Sequence, residues 1–296
     1  MVNFEWIIAS TALGAFFGSF AGAQVWRLRA RQLSDDKHRG ERVNNRDLDR
    51  LKPLLGKRMA DDRSVCLSCK ARLKWYDMIP LVSWFVLRGK CRYCHESIGY
   101  AEISLEVGLA AVFGLSVAFW PYYQLGDWGL VLLSLWLVSS VVLAILFVYD
   151  LRWYLLPALG TMLYAALGFV YAIVVWAASS FNSDVFVSIA MSVFIMSGIY
   201  LIIYMASKGK WIGFGDVKLG LGLGLFLADW RLGFIALFLA NLIGCIVVFP
   251  LLVVKKMNRR SHVPFGPFLI VGTVLSMLFG EAILSWYMAF SMSLFL

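Results

Sequence analysis

Charge is scarce in this chain. Lys, Arg, Asp and Glu make up 15% of its 296 residues, while hydrophobic types make up 61%. Soluble domains carry nearer to about 25% charged residues, so there is too little polar surface here to cover a water-soluble globule. Histidine is scarcer still, with only three residues, and none falls in an HExxH-like pattern. That excludes the helical histidine pair of a catalytic zinc centre. A basic stretch ahead of the first apolar run is also missing. Residues 6–26 follow Glu5, and the positive charge comes afterwards, at Arg27, Arg29 and Arg31. A secretory signal peptide has the reverse order. No aromatic-interleaved basic motif accompanies the net charge of +9, so no nucleic-acid partner is expected. The close-set glycines of 220–224 are not followed by Lys-Ser/Thr, which removes a phosphate loop. No solenoid-length repeat is present.

What is present is a series of apolar runs near the ~20 residues that cross a bilayer core. Eight spans are expected, at roughly 6–26, 103–120, 128–148, 155–178, 185–206, 217–228, 231–254 and 267–292. The sixth is short, which a helix surrounded by protein tolerates. With the N-terminus outside, the cytoplasmic segments become 27–102, 149–154, 207–218 and 255–266. They hold 26 of the 27 Lys and Arg residues, all but Arg231. Positive charge sorts to the cytoplasmic side of membranes, and the same charge attracts anionic headgroups. The fold class expected is therefore all-α: a polytopic membrane helical bundle of about eight transmembrane helices, with a small cytoplasmic zinc-ribbon-like insertion. Its divisions are a first helix at 1–27, a cytoplasmic domain at 28–102 and a seven-helix membrane domain at 103–296.

The insertion has two halves. Residues 28–62 are highly charged and free of aromatics, which suits either a charged helix or a poorly ordered linker. Residues beyond 64 carry two CxxC pairs, Cys66/Cys69 and Cys91/Cys94. Four thiolates in two knuckles close a tetrahedral structural Zn²⁺ site. Two disulfides are the competing reading, and the cytoplasmic placement disfavours them. So short a module has too little core to fold alone, and a metal would supply the folding free energy. His95 adjoins Cys94 and reads as a solvated residue. His38 and His262 lie in charged loops, and Cys245 reads as a packing residue of span seven.

Few of the 18 acidic residues fall at or within the apolar runs, where an ionisable group is a functional-site hypothesis by default. Asp150 ends the third span and Asp216 opens the sixth, both at the same expected boundary. Two carboxylates brought close share a proton; the charged one can accept a proton from water while the neutral one donates to a carbonyl oxygen. Gly213 and Gly215 allow the backbone to bend there, and Lys218 stands within reach of a carboxylate or a substrate backbone. The plainer alternative makes Asp216 a helix cap and Asp150 the partner of Arg152 or Lys218. Glu281, deep in span eight, reads as interhelical glue, and Gly14, Gly18 and Gly22 as small residues for close helix packing.

The run Gly213-Phe214-Gly215-Asp216 with Lys218 forms a GxGDxK motif, and Asp150 is followed by Leu156-Pro157. The cysteine module encloses Lys74-Trp75-Tyr76-Asp77-Met78-Ile79-Pro80-Leu81 and Leu87-Arg88-Gly89-Lys90-Cys91, and Pro264-Phe265-Gly266-Pro267-Phe268 opens the last span. On these features the chain resembles the bacterial type IV prepilin peptidases, bifunctional leader peptidase/N-methyltransferases of the GxGD aspartic peptidase group. The resemblance implies a membrane aspartic endopeptidase of the bacterial inner membrane with Asp150 and Asp216 catalytic. It would cleave leaders of type IV prepilins and of the pseudopilins of type II secretion, then methylate the new N-terminal residue from S-adenosylmethionine. Glu106 matches the family's acidic residue after the second CxxC. Departures are Gly22 and Ala158, where the family has Asn and Asp, and a longer, more charged linker over 30–60. A non-catalytic membrane assembly protein that docks a partner through its zinc module is the alternative from another class.

Overall fold

The structure is a computed structural model that describes residues 3–55, 64–254 and 263–294. Among them the regular elements are helices, with two isolated antiparallel bridges, Val65 to Arg72 and Lys90 to Ser97. Seven helices are long and apolar enough to cross a membrane, which makes the chain a multi-pass membrane protein. The end of the charged linker and the basic stretch 255–262, with His262, lie outside the described residues. The chain separates into two compact units, residues 1–114 and 115–296.

The first unit is built on α1 (Phe4–His38) and α4 (Tyr100–Ala118), with α2 (Asn45–Leu51) and α3 (Val82–Val86) between them. Small residues bring α1 onto α4. A Cβ at Gly14 would meet the Leu109 carbonyl oxygen at 2.5 Å, and one at Gly18 would run into the Glu106 backbone. Gly22 has more room, with Leu105 at 3.7 Å. Close approach through small residues is how helices associate where lipid removes the hydrophobic drive. The α1 helix does not stop at the membrane-side arginines. It runs twelve residues further, to His38, because α2 turns back to cover its apolar stripe. Asn44 caps α2 by accepting from the Arg46 N–H, and Leu48 and Leu51 close on Ala30 and Leu33. The first part of the charged half of the insertion is thus a helical hairpin with a core of its own.

The second unit comprises α5 (Asp127–Trp153), α6 (Ala158–Ala178), α7 (Ser183–Val193), a π-helical turn (Phe194–Gly198), α8 (Ile199–Ser207), α9 (Phe214–Leu227), α10 (Trp230–Val253) and α11 (Gly266–Leu294). The sixth expected span is short, as its sequence suggested. As α9 it has 14 residues, about 21 Å at the usual helical rise, short of the ~30 Å of a hydrocarbon core. It survives by burial: Val217, Leu219, Leu223, Phe226 and Leu227 are covered by neighbouring helices. Its glycines are the means. Cβ atoms at Gly220, Gly222 and Gly224 would strike the π-helical turn at Met196, the Tyr164 ring of α6 and the Val193 backbone of α7. Hydroxyls finish the contacts, with Ser192 donating to the Gly224 carbonyl at 2.9 Å and Ser197 to the Val217 carbonyl at 2.8 Å. The widened turn sits where α9 presses closest, and π-bulges of this kind mark such places. Glu281 is exposed rather than buried, with Arg231 near enough to feel its charge.

Candidate functional site

Asp150 lies in the last turn of α5, where only 5% of its surface is accessible. The helix ends three residues later, at Trp153, because Tyr154 adopts the left-handed conformation and returns its N–H to the Asp150 carbonyl at 2.8 Å. The chain then crosses Leu155, Leu156 and Pro157 to α6, with Pro157 in the capping position. Asp216 sits in the first turn of α9, capped by Gly213, whose carbonyl accepts the Asp216 N–H at 3.2 Å. The two side chains are 66 positions apart and in the same unit, and the Asp150 charge acts on Asp216. Sequence reasoning required this meeting.

Each carboxylate meets a helix N-terminus. Asp216 is held by the Gly213 N–H at the start of its own helix. Asp150 is met by the Gly266 N–H, the first residue of α11. Unpaired N–H groups and the helix dipole make such ends favourable places for an anion. Asp150 Oδ2 is nonetheless buried without a hydrogen-bond partner among the described residues.

The glycines divide their work. A Cβ at Gly215 would lie 3.2 Å from the Leu156 Cβ, and one at Gly266 would lie 2.6 Å from Asp150 Oδ2. At Gly213 the nearest atom, Asp216 Oδ2, is 3.7 Å away, an ordinary contact. Close approach is therefore demanded at Gly215 and Gly266, and Gly213 contributes its N–H. The Leu-Pro step after Asp150 gains a use too: Leu156 packs against Gly215 and ties the end of α5 to the start of α9. Lys218 stands over the Phe214 ring, 5.1 Å from its centroid, and makes no hydrogen bond to either carboxylate among the described residues. Tyr200, on α8, is near enough to sense the Asp216 charge, and its ring meets that of Phe265 at a tilt, centroids 5.6 Å apart. Sequence reasoning passed over Gly266 and Tyr200. The Pro-Phe-Gly-Pro-Phe run was the available signal for the first, and nothing marks the second among the tyrosines.

The four cysteines are brought together in the first unit. The ligand atoms of Cys66, Cys69, Cys91 and Cys94 lie within 4.8 Å of one another, and all four are free thiols. Two alike knuckles present them. The Cys66 N–H bonds to the Ala71 carbonyl and its carbonyl accepts from Lys70; Cys91 does the same with Glu96 and His95. Lys70 and His95 occupy the same left-handed turn position, at φ 60° and 58°, so His95 is a turn residue. A metal bound at about 2.3 Å to four thiolates places their sulfurs ~3.8 Å apart, and Cys66 and Cys94 already stand at 3.9 Å. The donor set fits a metal ion. Between the knuckles, Asp77 accepts the Lys74 N–H and the Arg92 Nε, the latter at 2.8 Å, which ties the intervening run to the second knuckle. Leu67 of the first knuckle packs on the core of the α1–α2 hairpin. Glu106 is buried in this unit, where it accepts the Leu81 N–H at 2.7 Å and a bond from Ser19.

These features define a class, a helical multi-pass membrane protein with one carboxylate at the end of α5, another at the start of α9, and a four-cysteine module. Residues 12–120 match the Bacterial Peptidase A24 N-terminal domain and residues 137–249 the Type IV leader peptidase family. Relatives carry the name prepilin leader peptidase/N-methyltransferase. That of Aeromonas hydrophila is 32% identical over 76% of this chain and 74% of its own length. The Legionella pneumophila protein is 28% identical over 78% and 77%, and that of Vibrio cholerae 26% over 93% and 97%. No solved structure matches the chain. The chain belongs to the type IV leader peptidase family.

Proposed function

We propose that the chain is a membrane aspartic endopeptidase that removes the leader from type IV prepilins and pseudopilins, with Asp150 and Asp216 as the catalytic pair. The observation that carries this reading is the burial of Asp150, with no hydrogen-bond partner at Oδ2 among the described residues, inside the electrostatic reach of Asp216. The pair holds one proton between its two members. The ionised carboxylate takes a proton from water as the oxygen attacks the scissile carbonyl carbon. The protonated one donates to the carbonyl oxygen, giving a neutral tetrahedral diol. Collapse of the diol returns a proton to the leaving nitrogen, so one water is consumed and no covalent enzyme intermediate forms. Gly213 and Gly215 support this by setting the start of α9, and the Lys218 cation stands two residues from Asp216 to meet a substrate backbone. Glu106 supports the first unit by holding the Leu81 amide.

The four cysteines are read as a structural Zn²⁺ site, in which the metal supplies folding free energy and no reaction step. S-adenosylmethionine enters as the methyl donor for the second activity in the relatives' name, with no residue assigned to it. The reading places residues 1–27 as a first membrane helix, 28–102 as a cytoplasmic domain and 103–296 as the peptidase domain, in a bacterial inner membrane with the N-terminus outside. The charge distribution supports that orientation.

The test is direct. Asp150→Asn and Asp216→Ala should each abolish leader removal from a prepilin in reconstituted membranes while zinc content and thermal unfolding stay at the wild-type level. Wild-type cleavage by both variants would refute the assignment and favour a non-catalytic assembly protein.

A further inference from the structure

The four-cysteine module carries a face that none of the described residues covers. In α3 the side chains of Val82, Phe85 and Val86 are 56%, 65% and 70% exposed. Positions i, i+3 and i+4 share one side of a helix, so these three form one apolar stripe. Trp84 points elsewhere, over Gly89 and towards the Tyr100 ring at 6.0 Å. Contiguous exposed apolar side chains of this kind mark an interaction surface.

The position of the stripe says what it meets. The residue before α3, Leu81, gives its N–H to Glu106 at 2.7 Å. Glu106 lies on α4, one of the helices apolar and long enough to cross a membrane, and six residues along it from Tyr100, about 9 Å of helix. The start of α3 is therefore pinned beside the second turn of a helix long and apolar enough to cross a membrane, near that helix's N-terminal end. Charge agrees. No acidic residue occurs between Asp77 and Glu96, whereas Arg88, Lys90 and Arg92 do, and Arg88 and Lys90 are exposed just beyond the stripe. An apolar helical face rimmed by basic residues lies in the interface plane of a bilayer, a few ångströms into the acyl boundary.

We propose that the Val82–Phe85–Val86 face is an interfacial membrane anchor: it inserts into the leaflet at the N-terminal end of α4, with Arg88 and Lys90 on anionic headgroups. The cysteine module is thereby seated on the lipid surface rather than held away from it on a tether. A peptide-binding role for the same face is the outcome that would replace this one.

The test uses the full-length protein in phosphatidylethanolamine/phosphatidylglycerol nanodiscs with Phe85→p-benzoylphenylalanine. The control position is Arg50, exposed on α2, which packs on α1 beyond its apolar run. Illumination should give acyl-chain adducts at position 85, by mass spectrometry, and none at position 50, with or without added prepilin. Absence of lipid adducts at position 85, or their replacement by prepilin adducts, would overturn the proposal. Should the first variant fail to retain zinc, Val86→p-benzoylphenylalanine carries the label instead, with the same two outcomes. The readout does not depend on peptidase activity, so it stands apart from the fate of the catalytic assignment.

Discussion

On the proposed catalytic role of Asp150, Gly266→Ala should separate catalysis from stability in this protein. The new methyl group would sit 2.6 Å from Asp150 Oδ2 and 3.4 Å from its Cγ. Ordinary contact begins at 3.4 Å, so the carboxylate must retreat by about 0.8 Å or α11 must shift its first turn. The φ angle at Gly266 is not in the left-handed region, so the backbone itself accepts alanine. As the first residue of a helix, alanine is the better choice by up to about 1 kcal/mol. The two effects oppose each other. Thermal stability should hold or rise, while a displacement approaching 1 Å at a catalytic group costs on the order of 10²-fold in rate. The assay is single-turnover cleavage of a prepilin by wild type and variant in the same lipid, with unfolding temperature and zinc content measured in parallel. Substrate affinity should change little, since the displaced atom serves the chemical step. Full activity in a variant that melts no lower than wild type would show that Asp150 does not need its observed place, and the geometric argument would fail with it.

Three further outcomes follow from the same structure. Gly220→Ala drives a methyl group into the Met196 carbonyl of the π-helical turn and should destabilise the second unit by about 1–3 kcal/mol, whereas Leu221→Ala, at an exposed position of the same helix, should be near neutral in a membrane unfolding assay. Removing zinc with a strong chelator should raise amide exchange in both knuckles and also in α2, because Leu67 rests on the α1–α2 core; α5 and α9 should keep their protection. Apparent zinc affinity should fall as pH falls, since protons compete for the four thiolates, and titration with a competing chelator at several pH values would check the slope.

Much of the bundle was legible because a membrane span declares itself by length and apolarity alone. The expected spans 103–120 and 231–254 differ from α4 and α10 by no more than three residues. The expected end of the first span at 26 marks the lipid boundary, yet the helix continues to His38, for charged residues propagate a helix as readily as apolar ones when a partner covers one side. Here the partner was α2, hidden in a run whose polarity fitted a linker equally well. The meeting of Asp150 with Asp216 was legible from charge sorting, which put both at one boundary. The support around them was not. Gly266 approaches Asp150 across 116 positions; the Pro-Phe-Gly-Pro-Phe run marks the start of the last span but does not say which side chain its glycine must admit. Lys218 illustrates the converse: its spacing from Asp216 suggested a carboxylate partner, and its side chain instead crosses the Phe214 ring.

Both acidic groups have a main-chain amide beside them, Asp216 at the head of α9 and Asp150 at the head of α11. Peptide dipoles are the same whichever residues follow them. On the proposed reading, the chemistry is thus anchored to the path of the backbone at the starts of α9 and α11.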